Sequence, residues 1–243
     1  MSGVISSKRK SIGIIAGSGP EAGVDLWSKV IRANQAAFGT AYRGDLDAPR
    51  VVVVSEPELG LSMDLAANEE AVWETLRRTI IALAPQVDCY AIACNTLNWY
   101  APRIEALGLA AEFVSFPKVI RSALRARGLD RVALLGAAPV QSLGPWSVYR
   151  DLTTDFTVET PAETGPVHRL IEDIKRLGSE AAELRPRLGQ ILAELQEPTV
   201  LLACTELPLI ATMASDKELL DVTDLVAEAL VTRALPQNMQ EQD

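Results

Sequence analysis

Histidine is almost missing from this chain: His168 is its only copy. Papain-like chemistry needs a histidine beside the thiol, and a zinc site needs paired Cys or His ligands, so both are poorly served. Cysteine is scarce too, with Cys89, Cys94 and Cys204 as the whole set. An odd, low count excludes a disulfide framework and fits free thiols in a reducing cytoplasm. Aromatic residues are 5% of the chain, which leaves a core of Val, Ile, Leu and Ala, as in helix-covered parallel sheets. Basic residues are outnumbered, 23 to 32, for a net charge of −9. No basic stripe is present for nucleic acid to follow. Apolar runs stop well short of the roughly 18 residues a membrane helix requires. The opening "MSGVISSKRK" carries basic residues without an apolar stretch after them, which reads as a frayed tail and not a signal peptide.

What is present is 243 residues, 48% hydrophobic and 23% charged, enough for one large domain or two smaller ones. Short apolar runs recur at 11–16, 50–55, 89–94, 131–136 and 199–204, and all five read as fully buried strands. Weaker candidates lie at 111–116, 156–160 and 219–223. Helical patterns fill Pro20–Phe38, Asn68–Ala84, Phe116–Arg127, Pro166–Leu177, Ala181–Leu195 and Asp224–Leu235. The alternation predicts a mostly parallel α/β fold. It also repeats. "AIACNT" in the first half answers "LLACTE" in the second, and "IGIIAGSGP" answers "VALLGAAPV". Two pseudo-symmetric halves follow: 1–115 with the terminal segment 224–243, and 116–223. Each is a mostly parallel sheet flanked by helices. The four matched motifs end strands, where open parallel sheets bind ligands, so the site belongs in the cleft between the halves.

Cys94 and Cys204 each end an apolar strand and precede small polar residues and a helix start. Unpaired N–H groups and the helix dipole there favour a thiolate, the reactive form. Asn95, Thr96 and Thr205 add hydrogen-bond donors that can hold a carboxylate. Cys89 begins the same strand with no polar partner after it and reads as core. Two facing thiols could form a bridge or bind a metal, but neither has the expected surroundings. Proton transfer fits better: one thiolate removes a proton from carbon and a thiol on the opposite face returns one. The "IAGSGPEAG" turn formally matches a dinucleotide fingerprint. Pro20 removes a donor there and Glu21 adds a negative charge, so we expect a tight strand-to-helix turn and no nicotinamide cofactor.

"IGIIAGSGPEAG", "ACNT" and "ACTELPLI", in this order and spacing, resemble the aspartate/glutamate racemase superfamily, its aspartate racemase branch in particular. The resemblance covers nearly the whole chain. It implies racemisation of an amino acid, or another small carboxylate, by two cysteines, without cofactor or metal, commonly in a homodimer. Cys94 and Cys204 would be the acid/base pair. Gly17 and Ser18 would line the site, with Asn95, Thr96 and Thr205 holding the substrate. Glu206 matches the family position beside the second cysteine.

Several positions depart from that pattern. Ser18 stands where methionine is usual, and Asn98 where the first cysteine motif runs on to histidine. Ala137, Ala138 and Pro139 replace the threonines of the second turn. "EPELGLSMDL" lacks the arginine expected to grip a distal carboxylate. "AETGPVHRL" offers His168 and Arg169 where a lysine is expected. A buried carboxylate without a cationic partner is costly. The pattern therefore keeps the reaction and questions aspartate or glutamate as substrate. Two other readings retain the scaffold: a cysteine-dependent isomerase or decarboxylase, and a non-catalytic small-molecule binder. Trp27, Trp73, Trp99 and Trp146 read as core or interface, and "EDIKRLGSEAAELRPR" as solvated helix surface.

Overall fold

The computed structural model describes residues 9–211 and 215–236. Residues 1–8 of the expected tail at 1–10, and residues 237–243 of the terminal segment, lie outside the described residues, while Arg9 of that tail is held by Asn34 Oδ1 at 2.6 Å and is not frayed. The chain forms two four-stranded parallel sheets with helices between and around them. The first sheet holds β1 (Ile12–Ala16), β2 (Val51–Ser55), β3 (Cys89–Ile92) and β4 (Glu112–Phe113), in the order β2-β1-β3-β4. The second holds β5 (Arg131–Leu135), β6 (Thr157–Glu159), β7 (Thr199–Leu202) and β8 (Glu218–Asp221), in the order β6-β5-β7-β8. The order is the same in both. The register matches as well: Ala93 N–H donates to the Ile15 carbonyl at 2.8 Å, and Ala203 N–H to the Leu135 carbonyl at 2.7 Å. Each of these bonds sits one residue before a cysteine of interest.

The six helices read from periodicity are present as α1 (Pro20–Phe38), α2 (Leu65–Leu83), α4 (Phe116–Ala126), α6 (Gly165–Leu177), α7 (Leu184–Glu194) and α9 (Val222–Ala234). Three short ones have no counterpart in the pattern: α3 (Ala101–Glu105), α5 (Ala138–Gln141) and α8 (Leu207–Ile210). Each has proline in its first turn, where the missing N–H is harmless. They are too short for a helical period to register. A 3₁₀ segment, Pro57–Asp64, follows β2 in the same way.

Side chains on successive strand residues point to opposite faces, and here both faces are covered. Ile12, Ile14, Ala91, Ala93, Val132, Leu134, Leu201 and Ala203 point into one central core with α1, α4 and α9. Ile15, Tyr90 and Ile92 point outward under α2, and Ala133, Leu135, Val200 and Leu202 under α6 and α7. Each large apolar side chain so buried contributes roughly 1.5–3 kcal/mol. The shared central core positions the two sets of strand ends. α9 packs on α1, α4 and β3. Buried Lys29 of α1 pairs with Asp25 and with Asp221, the residue that caps α9.

Two expectations need correction. "RVVVVS" is not a fully buried strand: β2 lies at the sheet edge, with Val53 exposed. A run of four valines fits an edge as well as a centre, because β-branched side chains suit any pleated surface. β3 ends at Ile92, before the cysteine, since Cys94 N–H turns back to the Ile92 carbonyl at 2.7 Å. No helix among the described residues is long and apolar enough to cross a membrane.

Candidate active site

The site gathers at the carboxyl ends of β1 and β3 in one half and of β7 in the other. After β1 the chain turns through Gly17, Ser18 and Gly19 into α1. Gly17 and Gly19 have φ of 116° and 136°, which side-chain-bearing residues rarely adopt. The turn is also crowded: a Cβ on Gly17 would sit 2.1 Å from the Glu56 carbonyl oxygen, and one on Gly19 2.1 Å from Glu206 Oε1. The close backbone approach of this turn is thus to a carboxylate of the chain itself.

Cys94 and Cys204 are each 7% exposed, at the edge of burial. The Cys94 thiol donates to Ser18 Oγ at 3.5 Å, and Ser62 Oγ lies 4.0 Å from its sulfur. The Ser18 and Ser62 hydroxyls are 2.9 Å apart. Ser62 comes from the 3₁₀ segment after β2. Cys204 has a different setting. Its thiol donates to Glu206 Oε2 at 2.9 Å, and Thr205 Oγ1 donates to the same oxygen at 3.1 Å. Burial and the Glu206 charge push the Cys204 thiol well above its ordinary range, against the pull of Lys175. A helix start was expected to lower it. The four-residue α8 gives a weak dipole, and the adjoining carboxylate outweighs it.

Lys175 joins the two halves. It extends from α6 to donate to the Ser18 carbonyl at 2.5 Å, and its Nζ lies 3.2 Å from Glu206 Oε1. Burial lowers its pKa, but Glu206 and the two thiols outweigh burial and raise it. Contacts therefore run from Cys94 through Ser18, Lys175 and Glu206 to Cys204. Residues 15–231 match the family model for Asp/Glu/hydantoin racemases. The chain belongs to that family.

A racemase assignment makes the protein an isomerase. Among solved structures it is similar to an aspartate racemase from Picrophilus torridus, 22% identical, covering 95% of this chain and 98% of that one with a TM-score of 0.75. An aspartate racemase homologue from Pyrococcus horikoshii OT3 is 21% identical over 93% of this chain and 99% of its own, with a TM-score of 0.71. A glutamate racemase from Bacillus anthracis is 18% identical over 93% and 81%, with a TM-score of 0.66. At these identities the likeness is one of fold. No curated protein matches the chain.

The remaining predicted residues of this racemase-family chain fall as follows. Asn95 is buried, and its Oδ1 accepts a hydrogen bond from Tyr149 of the other half. Thr96 is buried at the start of the next 3₁₀ turn. Asn98 faces backbone: Nδ2 donates to the Cys94 carbonyl at 2.9 Å, and Oδ1 accepts from Phe116 N–H at 3.0 Å. His168 Nδ1 accepts from Ala138 N–H at 3.2 Å, and its Nε2 lies 3.7 Å from Glu172, so its bonds are to the second glycine turn and not to either thiol. Trp99 and Trp146 pack with tilted rings, centroids 4.8 Å apart, and Trp99 donates to the Pro145 carbonyl at 3.0 Å. Cys89 is buried as core, which raises its thiol to about 12.

Sequence reasoning missed three contributors. Ser62 lies in the arginine-less stretch, and Tyr149 beyond the second turn. Lys175 lies within the segment read as solvated surface, and it supplies the cation that seemed lacking. One signal could have found it. Lys175 stands four residues after Ile171 and beside Ile174, on the border of the α6 apolar stripe. A surface cavity of about 500 Å³ lies elsewhere, lined by Tyr90, Ile104, Phe113, Lys118 and Arg233, while the thiols are closed in.

Proposed function

We propose that this protein is a cofactor-independent amino-acid racemase or epimerase, with Cys94 and Cys204 as the proton-transfer pair. The observation that carries the reading is the pair of thiols at matched strand ends of two sheets, linked through Ser18, Lys175 and Glu206. One sulfur, as thiolate, takes the α-proton; the other, as thiol, delivers its own proton to the opposite face of the carbanion. The stereocentre inverts, and one proton has moved on and one off. The roles reverse for the other enantiomer. Gly17, Ser18, Asn95, Thr96, Thr205 and Glu206 surround the substrate in this reading, with Asn98 and His168 supporting the backbone of the two turns.

The charges favour a substrate with one carboxylate. Among the described residues Lys175 is the cation bonded within the site, and Glu206 already faces it. A dicarboxylate would bring two negative charges to one shared lysine. We therefore favour α-amino acids with uncharged side chains over aspartate or glutamate. Incubation with single amino-acid enantiomers in heavy water tests this. α-Deuterium uptake with loss of optical rotation is expected, strongest for uncharged side chains, and absent from Cys94→Ala and Cys204→Ala. Exchange that survives both substitutions would sink the two-thiol mechanism.

We extend the reading to a homodimer in the cytoplasm. Three free thiols fit a reducing compartment. Val24, Trp27 and Ile31 form an exposed apolar stripe on α1, beside the open edge of β2. Such a stripe suits a partner surface. Light scattering is expected to give twice the chain mass, and Trp27→Glu to lower it to a single chain.

A further inference from the structure

Tyr149 is fully buried, on the segment that follows α5. Its own loop holds it at the base. Tyr149 N–H donates to Ser147 Oγ at 3.2 Å, and the Ser147 hydroxyl donates to the Val140 carbonyl at 2.5 Å. The phenol then leaves the second half altogether. Its O–H crosses to the first half and donates to Oδ1 of Asn95. A buried phenol needs a partner, and among the described residues this is its bond. Burial, then the charges of Cys204 and Cys94, push the phenol well above its ordinary range. It stays a protonated donor at every working pH.

This bond decides which way Asn95 faces. An amide has an acceptor end and a donor end. Tyr149 occupies the acceptor end, so Nδ2 is turned the other way. Asn95 is 3% exposed, and among the described residues Nδ2 has no partner. A buried donor without an acceptor is unfavourable. It persists here directly after Cys94, in a site that receives a carboxylate. We propose that Tyr149 is a positioning residue: its hydroxyl, reaching across the two halves, holds the Asn95 amide so that Nδ2 meets an oxygen of the substrate carboxylate. The inference rests on the racemase reading above. Tyr149 itself does not touch substrate. Without its hydroxyl the amide can turn over and present Oδ1, which repels a carboxylate oxygen.

Substitutions at these two positions test this, with kcat and KM measured in both directions on the enantiomer pair found by deuterium exchange, and melting temperature alongside. Tyr149→Phe removes one oxygen atom. It is expected to raise KM about tenfold for both enantiomers, with a smaller change in kcat. Asn95→Asp still accepts from Tyr149 but offers an anionic oxygen in place of the donor. It is expected to fold and to lose about a hundredfold or more in kcat/KM. Tyr149→Phe added to Asn95→Ala is expected to cost nothing further, because the two residues act as one unit. A Tyr149→Phe protein with a lower melting temperature and unchanged KM would overturn the proposal, making the phenol purely structural. If Tyr149→Phe does not fold, Asn95→Asp decides, and a wild-type KM there overturns it equally. A wild-type protein that exchanges no α-proton defeats the racemase reading and this inference together. An active wild type with an unaffected Tyr149→Phe defeats this inference alone.

Discussion

Replacing Lys175 by methionine isolates the charge balance that the site depends on. Methionine keeps much of the apolar stem and removes the ammonium. Glu206, whose side chain is 4% exposed, then keeps the Cys204 thiol and the Thr205 hydroxyl as donors but no cation. Removing one partner of a buried ion pair costs about 3–5 kcal/mol. The Lys175 side chain retains 22% exposure, so solvent screens part of the pair and we expect about 2–3 kcal/mol. In a chain of this size that is about 4–12 °C of melting temperature. Urea unfolding measures the loss. Adding Glu206→Gln to Lys175→Met should recover most of it, since no charge is left unpaired. A single variant as stable as wild type, or a double variant no more stable than the single, would refute the reasoning.

Other substitutions probe the frame around this pair. Gly19→Ala places a Cβ 2.1 Å from Glu206 Oε1 at a φ of 136°, so we expect a loss of about 2–4 kcal/mol together with displaced Glu206 and reduced activity, read by denaturation and kinetics. Cys89 titrates from 9.0 unfolded to about 12 folded. Its contribution is complete below the lower value and fades as pH rises toward the upper one, so Cys89→Ala should flatten the alkaline loss of stability by up to roughly 1.4 kcal/mol per pH unit in that window. Identical alkaline limbs would contradict this. Asp221→Ala removes both the cap of α9 and a partner of buried Lys29, and should cost about 2–4 kcal/mol in chemical denaturation.

Much of the fold was legible because it is encoded locally. Helices of eleven or more residues show their 3.6-residue period directly, and parallel strands covered on both faces read as unbroken apolar runs. The helices of four or five residues were illegible, since a single turn around a proline carries no period. Within the site the two thiols were visible through repetition: "AIACNT" and "LLACTE" are the same strand end written twice. Ser62, Tyr149 and Lys175 had no such signal. Tyr149 looks like any core aromatic, and its partner Asn95 lies in the other half of the chain.

By itself, the sequence determined the alternation of strands and helices, the twofold repetition and the pair of cysteines that the repetition singles out. These follow from hydrophobic period and residue order, which need no long-range contact to be expressed. Only the tertiary structure decided the charge and orientation of the site. Lys175 sits in a helix dense with charge, and its place on the border of the apolar stripe does not by itself separate a solvated lysine from one that spans a cleft to the Ser18 carbonyl and Glu206. A long, flexible side chain takes its role from whatever the fold brings within its reach.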